Sequence, residues 1–229
     1  MIGSQDVCSG FFVTQRFVTQ ASQSSWDRRA KLDVFLATPS AQSACGMEDF
    51  MKVVDMHCDT IAALYENKEK GWTLQDNRLH IRLDKMKQGD YLLQNFALFV
   101  CTENCEDPYQ QALTLADCFD RQMALFPEQI GQVRCYNDIL ENQKNGRISA
   151  LLTIEEGAVC QGSLEKLREF YDRGVRMLTL TWNFPNEIGF PNFGISGDGK
   201  PDRTVPNTKD GLTEFGFLFL EEMERLAMI

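Results

Sequence analysis

From residue 53 onward, the apolar positions of the chain switch repeatedly between two periods. Residues 53–57 are a short run of β-formers, and residues 60–67 follow at helical spacing. Residues 92–100, LLQNFALFV, are apolar at nearly every position, which predicts a strand covered on both faces. Residues 108–126 then place Ala112, Leu115, Phe119, Met123 and Phe126 on one helical stripe, with Pro108 suited to the first turn. A short helix over 137–144 should stop at Asn145 and Gly146. A strand over 149–155, SALLTIE, comes next. The helix over 163–172 turns Leu164, Leu167 and Phe170 inward and ends at Gly174. Residues 175–181 predict a fourth strand. A Gly/Pro/Asn-rich loop over 182–210 then leads to a last helix at 213–226.

Strands alternating with helices imply an α/β fold, a parallel sheet with helical crossovers. About four such units make half of a closed (β/α)8 barrel, which takes roughly 250 residues. The chain stops just after a helix, where a fifth strand should begin, so a partial barrel, cut short, is expected over 51–229. Residues 1–50 read differently. They are rich in Ser, Gln and Thr, hold no sustained period, and close on the linker-like TPSAQSACG. A poorly ordered N-terminal extension is expected there, with Met47 or Met51 as the natural start.

Composition narrows the partners. The net charge of −10 argues against nucleic acid and anionic membranes. The run Glu221, Glu222, Glu224 reads as a solvated helix face. No apolar stretch approaches the ~20 residues of a membrane span, and the N-terminus lacks the pattern of a signal peptide. Eight cysteines show no paired CxxC spacing. Cys101 and Cys105 bracket TEN as a zinc pair would, but isolated thiols in a reducing cytoplasm are the preferred reading.

Candidate chemistry sits where the apolar runs end. The first run closes on VVDMHCDTI, and side chains two apart in a strand share a face. His57 and Asp59 therefore point the same way, with Asp55 one step deeper. An imidazole and a carboxylate at a strand's carboxyl end suit zinc or a similar divalent ion. The competing reading, a core histidine followed by an aspartate capping TIAAL, is equally open on these residues. LLTIEEGA ends a buried strand in two adjacent carboxylates, which are costly there without a positive partner. Neighbours on a strand face opposite ways, so one should reach the centre. Glu155 is chosen, with Glu156 in reserve. Thr181, Trp182 and Asn183 open an aromatic, Pro-rich loop that could wall a substrate or could simply pack.

Taken together, VVDMHCDTI, LLTIEEGAV, LEKLREFYDRGVRMLTLTWN and GLTEFGFLFLEEMERLAMI resemble the N-terminal half of the membrane (renal) dipeptidase family of zinc peptidases. That resemblance implies a TIM barrel of the metal-dependent hydrolase type with two zinc ions. His57 and Asp59 match ligands of one zinc, and Glu155 matches the glutamate that bridges both. It implies hydrolysis of a dipeptide through a metal-bound water, with Trp182 and Asn183 on the substrate side. No single catalytic residue is assigned. Histidines for the second zinc have no counterpart, because the chain ends first, and His80 is out of order for that role and reads as structural. Trp182 stands where better-known members carry a substrate-contacting histidine, which puts substrate preference in doubt. Little or no activity is expected of this chain alone. The alternatives are a non-catalytic barrel fragment and an amidohydrolase-type enzyme acting on another amide or lactone. A homodimer is left open.

Overall fold

The computed structural model describes residues 51–229, and the extension expected at 1–50 lies outside the described residues. The chain runs through β1 (Val53–Asp55), α1 (Thr60–Glu66), α2 (Leu83–Gln88), β2 (Tyr91–Phe99), α3 (Pro108–Leu125) and β3 (Ile130–Val133). It continues through α4 (Tyr136–Lys144), β4 (Ile148–Glu155), α5 (Leu164–Arg173), β5 (Val175–Thr179), β6 (Phe193–Ile195), β7 (Pro201–Pro206) and α6 (Glu214–Arg225). Three of the helices start where the sequence supplies an oxygen for an unpaired N–H. Asp107 accepts from Gln110 N, Ser163 from Lys166 N and Thr213 from Gly216 N. Gly174 closes α5 at φ +106°, which a side-chain-bearing residue would resist.

The first five strands form one parallel sheet with β4 at its centre. One edge of β4 pairs with β2 along the run from Leu93–Ser149 to Phe99–Glu155. Its other edge is shared: β3 takes Ile148 to Leu151, and β5 takes Leu152 to Glu155. Alternation then sorts the side chains. Phe96 and Leu98 of β2, with Ala150, Leu152 and Ile154 of β4, enter the main core alongside Leu64, Phe119, Phe170 and Phe219 from the helices. Leu93 and Leu151 face the other way and pack with Val133 and Ile139. Helix α4 thus covers the inner face near the strand starts. The strand ends that carry Phe99 and Glu155 lie at the opposite end of that face.

The predicted elements, long and short, fall within two residues of their expected bounds. β1 ends at Asp55 rather than at 57, because the Asp55 carboxylate accepts the His57 N–H at 3.2 Å and turns the chain. β5 stops at Thr179, two residues short of the prediction. Strand β3 (IGQV) and helix α2 (LDKMKQ) were not predicted, since each is too short to display a period. The predicted loop over 182–210 holds an antiparallel hairpin, β6 with β7.

Glu221 and Glu224 are exposed, as read, and Glu222 alone corrects the reading of a solvated acidic face. Its side chain is 8% exposed and accepts from Arg168 Nε at 2.6 Å and from Arg225 Nε at 2.8 Å, tying α5 to α6. Those guanidinium hydrogen bonds hold its carboxyl down at about 2. A carboxyl lowered on folding adds stability above its unfolded pKa, and the contribution disappears as pH falls toward the folded value. Glu222→Gln should therefore lower the thermal midpoint by a few degrees at pH 7. The gap to the unsubstituted chain should close between pH 5 and pH 2, as followed by circular dichroism melts across that range.

Candidate metal centre

His57 reaches the sheet's inner face because the chain after β1 keeps company with β2. The Cys58 carbonyl accepts the Ala97 N–H at 2.9 Å, extending the β1–β2 pairing past the end of the strand. Two residues on from Ala97, Phe99 lies in register with Glu155, which is in turn in register with Thr179. His57, Asp59 and Glu155 converge here. Each offers one ligand atom, and the three atoms lie within 4.8 Å of one another. His57 Nε2 is 3.4 Å from Asp59 Oδ1 and 3.0 Å from Glu155 Oε2.

Both rival readings of the HCD segment fail on this geometry. The His57 side chain is 49% exposed, so it is not a core histidine. Asp59 stands at the N-cap position of α1 but makes no side-chain capping bond. Glu155 is the less exposed carboxylate of the three-residue set. Burial raises its carboxyl above the ordinary range, and the His57 charge opposes that rise while Asp59 and Glu156 add to it. Donors held at about 2.0–2.2 Å from a tetrahedral zinc stand roughly 3.4 Å apart. The two separations at His57 fit, as does the mixed nitrogen and oxygen donor set with its excess negative charge.

Glu156 does not share the site. It is 1% exposed and its carboxylate is spent on N–H donors: Ala158 N at 3.1 Å, Trp182 N at 3.1 Å and Asn186 Nδ2 at 2.7 Å. Trp182 is half-buried, its ring edge-on to Phe99 with centroids 5.0 Å apart. It therefore borders the row that carries Glu155. Asn183 is buried, at 9% exposure, so of the two expected substrate contacts Trp182 presents the larger surface. His80 is exposed and lies outside the cluster. Phe99 and Asn186 were missed as parts of the site's surroundings, and Glu156, held in reserve as a ligand, belongs to those surroundings instead. Phe99 carried a signal as part of the apolar run LLQNFALFV, and Asn186 carried none. A groove of about 400 Å³ beside the hairpin, lined by Phe190, Phe193, Ile195 and Val205 among others, shares no residue with the cluster.

A parallel α/β sheet with imidazole and carboxylates gathered at its strand ends defines a candidate metal centre of the kind α/β barrels carry at their C-terminal face. Residues 42–229 match the membrane dipeptidase (peptidase family M19) model, and the chain belongs to that family. An uncharacterized dipeptidase of Schizosaccharomyces pombe is 32% identical over 161 residues, covering 66% of this chain and 37% of its own length. Dipeptidase 3 of Rattus norvegicus is 30% identical over 198 residues, covering 82% of this chain and 37% of its own length. The chain thus spans well under half of the curated relatives it matches.

Two solved structures share the fold. Dipeptidase AC, a metallopeptidase of the same family, superimposes with a TM-score of 0.65 at 24% identity, over 78% of this chain and 55% of that one. The metallopeptidase of Rhodobacter sphaeroides, solved with a phosphinate mimic of the dipeptide L-Ala-D-Ala, gives 0.64 at 22% identity, over 78% and 57%. The described residues are accordingly part of a TIM-barrel-like α/β fold.

Close packing behind the cluster leaves one position no latitude. A Cβ on Gly157 would lie 2.7 Å from the Leu180 carbonyl oxygen and 2.6 Å from Ile188 Cδ1. Gly157→Ala should cost about 1–3 kcal/mol through overpacking, read from urea denaturation midpoints. An unchanged midpoint would show that the two segments can move apart freely.

Proposed function

We propose that this chain carries one zinc-ligand set, His57, Asp59 and Glu155, of a zinc-dependent dipeptidase. The observation that carries this reading is the approach of His57 Nε2 to within 3.4 Å of one carboxylate and 3.0 Å of another, from separate parts of the sheet. A bound zinc supplies Lewis acidity and a nucleophile at neutral pH for hydrolysis of a peptide bond. Glu155 approaches the position from β4, while His57 and Asp59 close it from the β1 side. Trp182, braced on Phe99, and Asn183 behind it form one wall of the substrate space. The dipeptide substrate class is supported by relatives named as dipeptidases and by the dipeptide mimic bound to the Rhodobacter sphaeroides enzyme.

Two zinc ions serve the complete enzyme in this proposal. The chain has two histidines, and among the described residues His80 lies outside the cluster, so a second ion has no histidine ligand there. The unaided chain should then turn over dipeptides slowly or not at all. Measurable hydrolysis by the purified 229-residue polypeptide would overturn that. We also propose a cytoplasmic location, supported by free thiols at Cys58, Cys101, Cys105, Cys118, Cys135 and Cys160. No helix among the described residues is long and apolar enough to cross a membrane.

Metal analysis and calorimetric titration test the ligand set. The chain should take up zinc, and His57→Ala should weaken binding more than about tenfold. Equal zinc content in the two proteins would remove His57 from the ligand set and overturn the proposed site.

A further inference from the structure

Glu156 is the carboxylate next to Glu155 that the proposed metal chemistry leaves unused, and its setting is tightly constrained. It is 1% exposed and adopts φ +84°, ψ +94°, a backbone conformation that L residues rarely enter. Such strain persists only where the surroundings over-determine it. Here the surroundings are three N–H donors converging on one carboxylate. Oε1 accepts from Ala158 N at 3.1 Å and from Asn186 Nδ2 at 2.7 Å, while Oε2 accepts from Trp182 N at 3.1 Å. Charge-assisted bonds of this kind are what make a carboxylate tolerable at such depth.

The donors come from separate stretches of chain. Ala158 belongs to the turn directly after β4, and Trp182 follows β5. Asn186 extends the network: Nδ2 also donates to the Leu180 carbonyl at 2.8 Å, and Oδ1 accepts from Ile188 N at 2.8 Å and Gly189 N at 3.1 Å. Thr213, the N-cap of α6, then donates through its own N–H to the Ile188 carbonyl at 2.9 Å. One carboxylate thus fastens the end of β4 to the segment that walls the candidate site.

We infer that Glu156 is a positioning residue. Its hydrogen bonds hold the strained turn that leaves Glu155 directed at His57 and Asp59, and they hold Trp182 beside Phe99. Without the carboxylate, nothing fastens residue 156 at that dihedral, whether or not the residue there is strained by it. The peptide joining it to Glu155 would rotate, and the Glu155 side chain would swing with it. The Glu155 half of this inference rests on the metal reading above; the Trp182 half does not.

The experiment uses the full chain with Trp26→Phe and Trp72→Phe, so that Trp182 is its one remaining tryptophan. Into it go Glu156→Gln, which keeps the size but replaces an acceptor with a donor, and Glu156→Gly, which meets the dihedral without strain but removes the carboxylate. Trp182 emission is read with acrylamide quenching, and cobalt(II) is titrated while its visible absorption bands are followed. Both variants should unfold cooperatively. Each should show red-shifted, more readily quenched Trp182 emission and bind cobalt about tenfold more weakly, or worse. Unchanged emission in a folded variant overturns the inference, and so does unchanged cobalt affinity. Should the Gln variant fail to fold, the Gly variant decides by the same two readouts. If the parent chain itself shows no cobalt bands, the metal reading falls, and the emission of Trp182 alone decides for or against Glu156.

Discussion

Two carboxylates stand side by side where the apolar run of β4 gives out, and the molecule must give each a different fate. Left together on one side they would repel; left buried without partners either would be costly. The backbone separates them by a single unusual dihedral at Glu156. Glu155 keeps the strand's alternation and stays on the inner face with Leu151 and Thr153. Glu156 is turned among backbone and amide N–H groups. The loop after β5 and the position of Trp182 are arranged around that second carboxylate, and the start of α6 is bonded to the same loop through Thr213. The chemistry at the first thus depends on how the second is satisfied.

Much of the fold was legible because its long elements carry long patterns. LLQNFALFV and SALLTIE are continuous apolar runs of strand length, and the stripe from Ala112 to Phe126 keeps a helical period over four turns and more. Their parallel order followed from the alternation. Strand β3 and helix α2 escaped because four or six residues do not establish a period, and β3 is half polar or glycine. The hairpin at 193–206 escaped for a different reason. Its strands hold Gly, Pro, Asp and Arg, and their pairing depends on a turn rather than on a buried face.

The site divides along similar lines. His57 and Asp59 were legible as a pair from their two-residue spacing; β1 itself ends at Asp55, and the Ala97 N–H bond to the Cys58 carbonyl carries the pairing on to them. Whether they formed a ligand set or a core histidine and a cap was not legible, since that depends on exposure and on where Asp59 points. Preferring Glu155 to Glu156 followed from alternation. What becomes of Glu156 could not be read, because its donors at 182 and 186 meet it only in three dimensions. Glu222 misled for the same reason: an acidic run on a helix looks solvated until Arg168, from another helix, is seen beside it.

The sheet does not hold the three clustered residues with equal firmness. Glu155 ends the strand that is hydrogen-bonded along both edges, by β2 on one side and by β3 and β5 on the other. His57 and Asp59 follow a three-residue strand paired, among the described residues, with β2 alone, and their side chains are about half exposed. Local opening is easiest where backbone bonds are few and solvent is near. The cluster is therefore built like a vice with one fixed jaw and one travelling jaw. Any adjustment to an ion of different radius would be taken up on the histidine side, and the glutamate would serve as the datum from which the others are measured.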